Sequence, residues 1–371
     1  MVSNSQTTIK TLLTTLRAAL NADYVHTSKS IACDNWAKVY RMAAQQGVAA
    51  IAWDGVQRLI NDGAITNEQA PDRATKLQWA LTVDITEKQY HKQHNAIIKL
   101  ADIYADEGIK MLILKGYGLS TLYPIPQHRS CCDVDIWLFD EQQRADDILR
   151  QKFGIKIDED KHHHTVFNID GVMIENHYDF LNIHAHHSNR DIEARLKQLA
   201  DKPDEMEISG RKVYRPNANC HALFLLRHAA AHFAAVEIVL RHIIDWAMFI
   251  KHNYKDIDWP WLRDVCHTHN MEVFLDTMNS LASELCDIDI SWMPGTIRRP
   301  QLEERILNDI LSPEFSEPKP HSGTLRIVAY KFRRWWANRW KHRIVYREGL
   351  IKSFITQAYS HIIKPKSITK L

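Results

Sequence analysis

Cysteine is scarce and unpatterned. The chain has six in 371 residues, and only Cys131 and Cys132 are neighbours. No Cys-x-x-Cys spacing offers a zinc ribbon, and a chain of this length needs no disulfide staples to build a core. Adjacent cysteines bridge only with strain, so the expectation is reduced thiols in a cytoplasmic protein. Net charge is also nearly absent: 47 Lys and Arg stand against 45 Asp and Glu, leaving +2. No global field therefore recruits nucleic acid or an anionic membrane, and any such preference has to come from a local patch. No apolar run approaches the length of a membrane span. Met1 to Lys10 is polar and lacks the apolar centre of a signal peptide. Internal repeats and low-complexity tracts are missing as well.

What is present is an ordinary core-forming composition, 45% hydrophobic, in a chain long enough for two or three domains. Residues 1–95 read as a helical leading region. Ile9, Leu12, Leu13, Leu16 and Leu20 recur at helical spacing. Asn35 is placed to cap a helix carrying Trp36, Val39 and Ala43, and Pro71-Asp72 opens a long helical segment. The texture changes near Gly108. Residues 96–205 read as a small catalytic core with strands at Lys110–Leu114, Asp133–Phe139, His163–Ile169 and Val172–Tyr178. The last two are joined by the hairpin turn Asp170-Gly171. Helices return in 206–371, with one long apolar stretch from Cys220 to Ile250 and a basic helical end from Thr324 to Leu371. The fold class is therefore α+β, a small mixed sheet embedded in a largely helical chain.

The chemistry centres on Asp133 and Asp135. Residues i and i+2 of a strand share a face, so two carboxylates are held close together, which is costly unless something positive sits between them. Mg2+ is the natural counter-ion, since it takes one or two carboxylates together with substrate phosphates. A pair of Mg2+ ions, or Mn2+ in their place, would clamp an in-line phosphoryl displacement. Glu175, on a neighbouring predicted strand, is a candidate third ligand or general base. The turn at Lys115-Gly116-Tyr117 offers backbone N–H groups to phosphates. Lys115 and Arg129 can neutralise triphosphate charge.

Leu114-Lys115-Gly116, Asp133-Val134-Asp135-Ile136 and Ile174-Glu175 together resemble the DNA polymerase β-like nucleotidyltransferase superfamily. More narrowly they are similar to a bacterial group of uncharacterised nucleotidyltransferases with a helical surround. The shared features are Lys115-Gly116, Tyr123-Pro124, Arg129 before the Asp pair, His163 or His164, Glu175-Asn176-His177, and the later His228, His232, Arg241 and Asp245. The resemblance implies a polymerase β-like sheet and a metal-dependent transfer of a nucleoside monophosphate from a triphosphate such as ATP to an acceptor hydroxyl, releasing pyrophosphate. Asp133, Asp135 and Glu175 would be the catalytic and metal-binding set, and Lys115, Gly116, Tyr117 and Arg129 would grip the nucleotide. The acceptor, whether small molecule, protein or RNA, is not specified. Two departures stand out: Tyr117 where the superfamily usually has Ser, and Cys132 where it often has Gly or Ser.

Two further features compete with this reading. His162, His163 and His164, with His177, His184, His186 and His187, form a histidine-rich tract that can suggest zinc. Consecutive strand residues alternate faces, however, so a run of three is not expected to converge on one ion. The segment 331–343 interleaves basic residues with tryptophan, a composition suited to nucleic acid or a membrane surface. Leu325, Val328, Phe332, Trp336 and Trp340 fall on one helical stripe, which predicts a helix docked on the protein's own core. The alternative function is thus a catalytically silent nucleotidyltransferase-like module that binds RNA or a partner through this helix.

Overall fold

The computed structural model describes residues 2–25, 31, 33, 35–235, 237–321 and 323–352. Six strands form one mixed sheet: β1 (Leu112–Ile113), β2 (Asp133–Trp137), β3 (His164–Ile169), β4 (Val172–His177), β5 (Asp204–Ile208) and β6 (Arg211–Arg215), in the order β3-β4-β2-β1-β6-β5. β2 runs parallel to β4 and β1 parallel to β6, while the other neighbours are antiparallel. The α+β expectation therefore holds. The predicted hairpin is present too: Asp170 and Gly171 both take positive φ, 51° and 82°, as a two-residue turn matched to strand twist requires.

The strand alternation sorts side chains between two cores. Val134, Ile136, Ile174, Phe167 and Val213 face one way and pack on Ala96, Ile97, Leu100 and Tyr104 of the long helix Arg73–Asp106 and on Ala145 and Leu149 of the helix Gln142–Phe153. The second helix is tied to the sheet through Asp146, which accepts from Thr165 Oγ1 at 2.7 Å and Asn176 Nδ2 at 2.8 Å. Leu112 and Trp137 face the other way and join a larger core made with the helices on either side of the sheet in sequence, among them Ala49–Asn61, Ala218–Ala235, Leu240–Asn253 and Glu272–Cys286. In that helical region Val2–Leu20 crosses Ala49–Asn61 so closely that a Cβ on Gly55 would lie 1.8 Å from Thr15 O. Both predicted caps form: Asn35 accepts from Lys38 N at 3.0 Å and Asp72 from Thr75 N at 2.7 Å.

Several expectations need correction. The expected boundaries at 95/96 and 205/206 both fall inside elements, the first in the helix Arg73–Asp106 and the second in β5. β5 and β6 escaped notice because their sequences, Asp-Glu-Met-Glu-Ile and Arg-Lys-Val-Tyr-Arg, carry too few apolar residues to read as strands. The single stretch Cys220–Ile250 is two helices, Ala218–Ala235 and Leu240–Asn253. At the C-terminus, helices cover Thr324–Ala337 and Arg339–Val345, whereas the expected continuation over 353–371 lies outside the described residues. The stripe predicted to dock is only partly docked. Val328, Phe332 and Trp336 are 49%, 49% and 53% exposed, and Ile327 and Tyr330 are buried instead. The side chain of Leu325 lies outside the described set. Trp340, in the next helix, does meet the core, edge-on to Phe233.

Candidate active site

The register of the sheet builds the site. β2 and β4 pair with Asp135 opposite Glu175 and Trp137 opposite His177, and β3 sets His164 opposite His177. Asp133, Asp135, Glu175, His177 and His164 therefore rise from the same face, on the side of the helical core. β1 ends at Ile113, and Leu114 N still donates to Asp135 O at 3.0 Å; the chain then leaves the strand for the turn at Gly116, and Lys115 Nζ reaches Asp135 Oδ1.

Asp135 is the hub. Its Oδ1 lies 3.1 Å from Lys115 Nζ and 3.1 Å from His177 Nε2. His177 Nε2 is also 3.7 Å from Glu175 Oε2. Asp135 Oδ2 is buried and has no hydrogen-bond partner among the described residues, a vacancy that a buried carboxylate oxygen tolerates only at a cost. Electrostatics divides the two aspartates. Burial disfavours the Asp135 carboxylate, but Lys115 and His177 outweigh it and hold its pKa below the usual range. Asp133 is pushed up by burial and by repulsion from Asp135, with Lys115 offsetting only part. Burial disfavours the His177 imidazolium, yet its bonds to Asp135 and Glu175 raise its pKa to about 9. For Lys115 burial is likewise overcome by Asp135, Asp133 and Glu175, so its ammonium stays charged.

In front of these groups lies a cavity of about 820 Å³, its open mouth included, walled by Lys115, Gly116, Asp133 and Asp135 on the sheet side and by His228, Arg241 and Asp245 on the helical side. Gly116 makes the sharp turn, with φ 60° and ψ −108°, a conformation that only glycine adopts readily. A Cβ there would also meet Cys131 Sγ at 2.8 Å. Gly116→Ala is therefore expected to destabilise the protein by about 2 kcal/mol, read as a lower urea midpoint at unchanged slope.

The donor atoms fit a divalent cation. Asp135, Glu175 and His177 each offer one ligand atom, all within 4.8 Å of one another. Residues 32–287 match the profile of a family described as uncharacterised nucleotidyltransferase, a span of more than half the chain. The protein belongs to this nucleotidyltransferase family. No curated protein matches it. Among solved structures it is similar to an antigenic nucleotidyltransferase-like protein from Paracoccidioides brasiliensis, at 14% identity over 53% of this chain and 92% of that one, with a TM-score of 0.34.

Within this nucleotidyltransferase the residues expected at the site are not all brought together. Lys115, Gly116, Asp133 and Asp135 line the cavity, and Glu175 stands beside Asp135 on the next strand. The Tyr117 ring turns to the opposite face of the sheet, where it stacks on Tyr90 at 5.0 Å and its hydroxyl meets His94 Nδ1 at 2.6 Å. Only its backbone remains near the turn. Arg129 lines the cavity, but its guanidinium is already engaged with Asp245, Nε to Oδ1 at 2.9 Å and Nη2 to Oδ2 at 2.7 Å. Tyr123 OH donates to the same carboxylate at 2.6 Å. This triad fastens the loop before β2 to the helix Leu240–Asn253, so it braces the cavity wall. Asp245→Ala would leave a buried guanidinium unpaired and is expected to cost about 3 kcal/mol, measured by denaturant unfolding. The residue that sequence reasoning undervalued is His177. The signal was available, since Glu175-x-His177 on one strand puts both side chains on one face.

Proposed function

We propose that the protein is a divalent-cation-dependent nucleotidyltransferase that transfers a nucleoside monophosphate from a nucleoside triphosphate to an acceptor hydroxyl. The observation that carries this reading is the unpartnered Oδ2 of Asp135 within a set of carboxylates on one face of the sheet, beside the cavity lined by Lys115, Gly116 and Asp133. In this reading Asp133, Asp135 and Glu175 hold Mg2+, two ions or Mn2+ in their place. A bound cation supplies charge neutralisation of the triphosphate and polarisation of the phosphoryl group. Lys115 adds a fixed positive charge at the edge of that set, and the Gly116 turn lets the backbone approach the phosphates without a side chain intervening. The acceptor oxygen bonds to the α-phosphorus, and the bond from that phosphorus to the bridging oxygen breaks. Pyrophosphate departs, and the acceptor proton passes to a carboxylate of the set.

The test is label transfer from each α-labelled ribonucleoside triphosphate, with Mg2+ or Mn2+, to small-molecule, RNA and protein fractions of a bacterial lysate. Label in one fraction, dependent on the cation and on intact Asp133 and Asp135, is the expected result and names the acceptor class. The exposed Val328, Phe332 and Trp336, flanked by Arg333, Arg334 and Arg339, favour a second reading. In it the chain is a silent module that binds RNA or a protein partner through this helix. The two part on one measurement: a ligand that binds only the folded state raises the melting temperature. Mg2+ with a nucleoside triphosphate stabilises the enzyme and leaves the silent module unmoved.

A further inference from the structure

Three histidines meet beside the carboxylate set. The ring centroids of His163, His164 and His177 lie 4.4, 5.0 and 5.5 Å apart, and each offers a ring nitrogen within 4.8 Å of the other two. This overturns the expectation that the consecutive histidines diverge. That argument holds inside a strand, but β3 begins only at His164, and at His163 the chain is still bending. Tyr178 N and Asp179 N both donate to His163 O, each at 3.1 Å, which fixes the bend so that His163 and His164 reach the same point. His162 is left out and faces His184.

Stacked structural histidines satisfy their nitrogens with hydrogen bonds. Here His163 Nδ1 and both ring nitrogens of His164 are buried without a hydrogen-bond partner, although His164 is only 6% exposed. His177 is oriented for ligation. Its Nδ1 faces Asp179 O at 3.1 Å, and a carbonyl only accepts, so Nδ1 carries a hydrogen and Nε2, which faces Asp135 Oδ1 at 3.1 Å, is the nitrogen that sheds its proton when a metal binds. A backbone carbonyl on the outer nitrogen is the usual way a metal-binding imidazole is fixed. Glu175 lies alongside, with Oε1 3.6 Å from His164 Nε2 and Oε2 3.7 Å from His177 Nε2, and its donor atom groups with those of Asp135 and His177.

We propose that His163, His164 and His177 bind one transition-metal dication of the zinc class. Three imidazoles suit Zn2+, which keeps its fourth position for water or another ligand, and do not suit Mg2+, which selects oxygen ligands. Because His177 and Glu175 also face Asp135, occupancy of this site couples to the carboxylate set. The proposal stands whether or not the chain transfers nucleotides, because its test reads binding alone.

Full-length protein is stripped with chelator, equilibrated with Zn2+ in millimolar Mg2+, freed of unbound metal and analysed for zinc. The expected result is about one zinc per chain, with affinity at least about 100-fold lower in His163→Asn/His164→Gln and little changed in Asp133→Asn. Equal zinc in the double variant, zinc lost with Asp133, or no zinc at all overturns the proposal. Cobalt substitution of the unmutated protein is the second measurement, and it needs no variant to fold. Intense visible absorption of four-coordinate, nitrogen-bound Co2+ supports the site, and the weak spectrum of six-coordinate, oxygen-bound Co2+ overturns it.

Discussion

The folded protein is expected to lose most of its stability between about pH 6.5 and pH 5, well above the range where carboxylates alone would unfold it. The cause is a set of histidines buried as neutral rings. Burial, aided by Arg227 and His342, lowers the pKa of His186 to about 2. Burial, with Arg215 adding to it, takes His221 to about 3, and burial takes His342 to about 4. All three are at least nine-tenths buried. In the unfolded chain each titrates near 6.5. Between the folded and unfolded values the unfolded state binds more protons, so stability rises with pH across that window and falls as the pH is lowered through it. Their contribution is intact above about pH 6.5 and drains away below it, at about 1.4 kcal/mol per pH unit for each ring. At pH 5 the three together amount to about 6 kcal/mol, comparable with the whole stability of an ordinary domain. His228, half-buried and with its pKa lowered by burial and by Lys115, pulls the same way. His177 and His128 work oppositely, since their raised pKa values add stability below about pH 6.5 that is lost as the pH rises above it, but they are two rings against several. Urea midpoints at pH 7.5, 6.5, 5.5 and 5 measure the slope. Replacing His221 with Leu should remove one proton's worth of it, about 1.4 kcal/mol per pH unit. A slope unchanged by that substitution would mean that His221 keeps its proton inside the fold.

How much of this was legible in the sequence depends on which physical signal each element leaves. Where one face is apolar the pattern is strong, and the hairpin His164–Ile169/Val172–His177, the Asp133 strand and the capped helices at Asn35 and Asp72 were all readable. Asp133-x-Asp135 and Glu175 were readable for the same reason, since period two fixes a shared face before any fold is known. β5 and β6 were not, because an edge hairpin rich in charge buries few side chains and resembles a loop. The roles of Arg129 and Tyr117 were hidden for a different reason. Each depends on which distant residue arrives beside it: Asp245 comes from 116 positions away and His94 from 23. Local sequence holds no record of such partners. The convergence of His163 with His164 turned on where the strand starts, and element ends are the least certain feature of a sequence pattern.

The two central aspartates should separate in a way that only a functional site produces. Asp135→Asn and Asp133→Asn are each expected to reduce nucleotidyl transfer by at least about 10³-fold, or about 4 kcal/mol in the barrier, because each removes a charge from the proposed cation site. Their effects on metal-free stability should differ in sign. Asp135 is ionised well below its unfolded value, so above about pH 4 it stabilises the fold through Lys115 and His177, and this is lost as pH falls through the folded value. Asparagine at this position leaves two buried cations facing a neutral amide. Asp133 is the reverse. Its raised pKa means that the folded state disfavours its charge at neutral pH, so removing that charge relieves burial and the repulsion from Asp135. In chelator at pH 7, Asp135→Asn should therefore lower the melting temperature, and Asp133→Asn should leave it unchanged or raise it, with transfer lost in both. A protein that gains stability when a buried charge is removed, and loses its chemistry at the same step, holds that charge for its ligand. Equal destabilisation by the two substitutions would instead make Asp133 a structural partner of Lys115, and the electrostatic division of the pair would have to be abandoned.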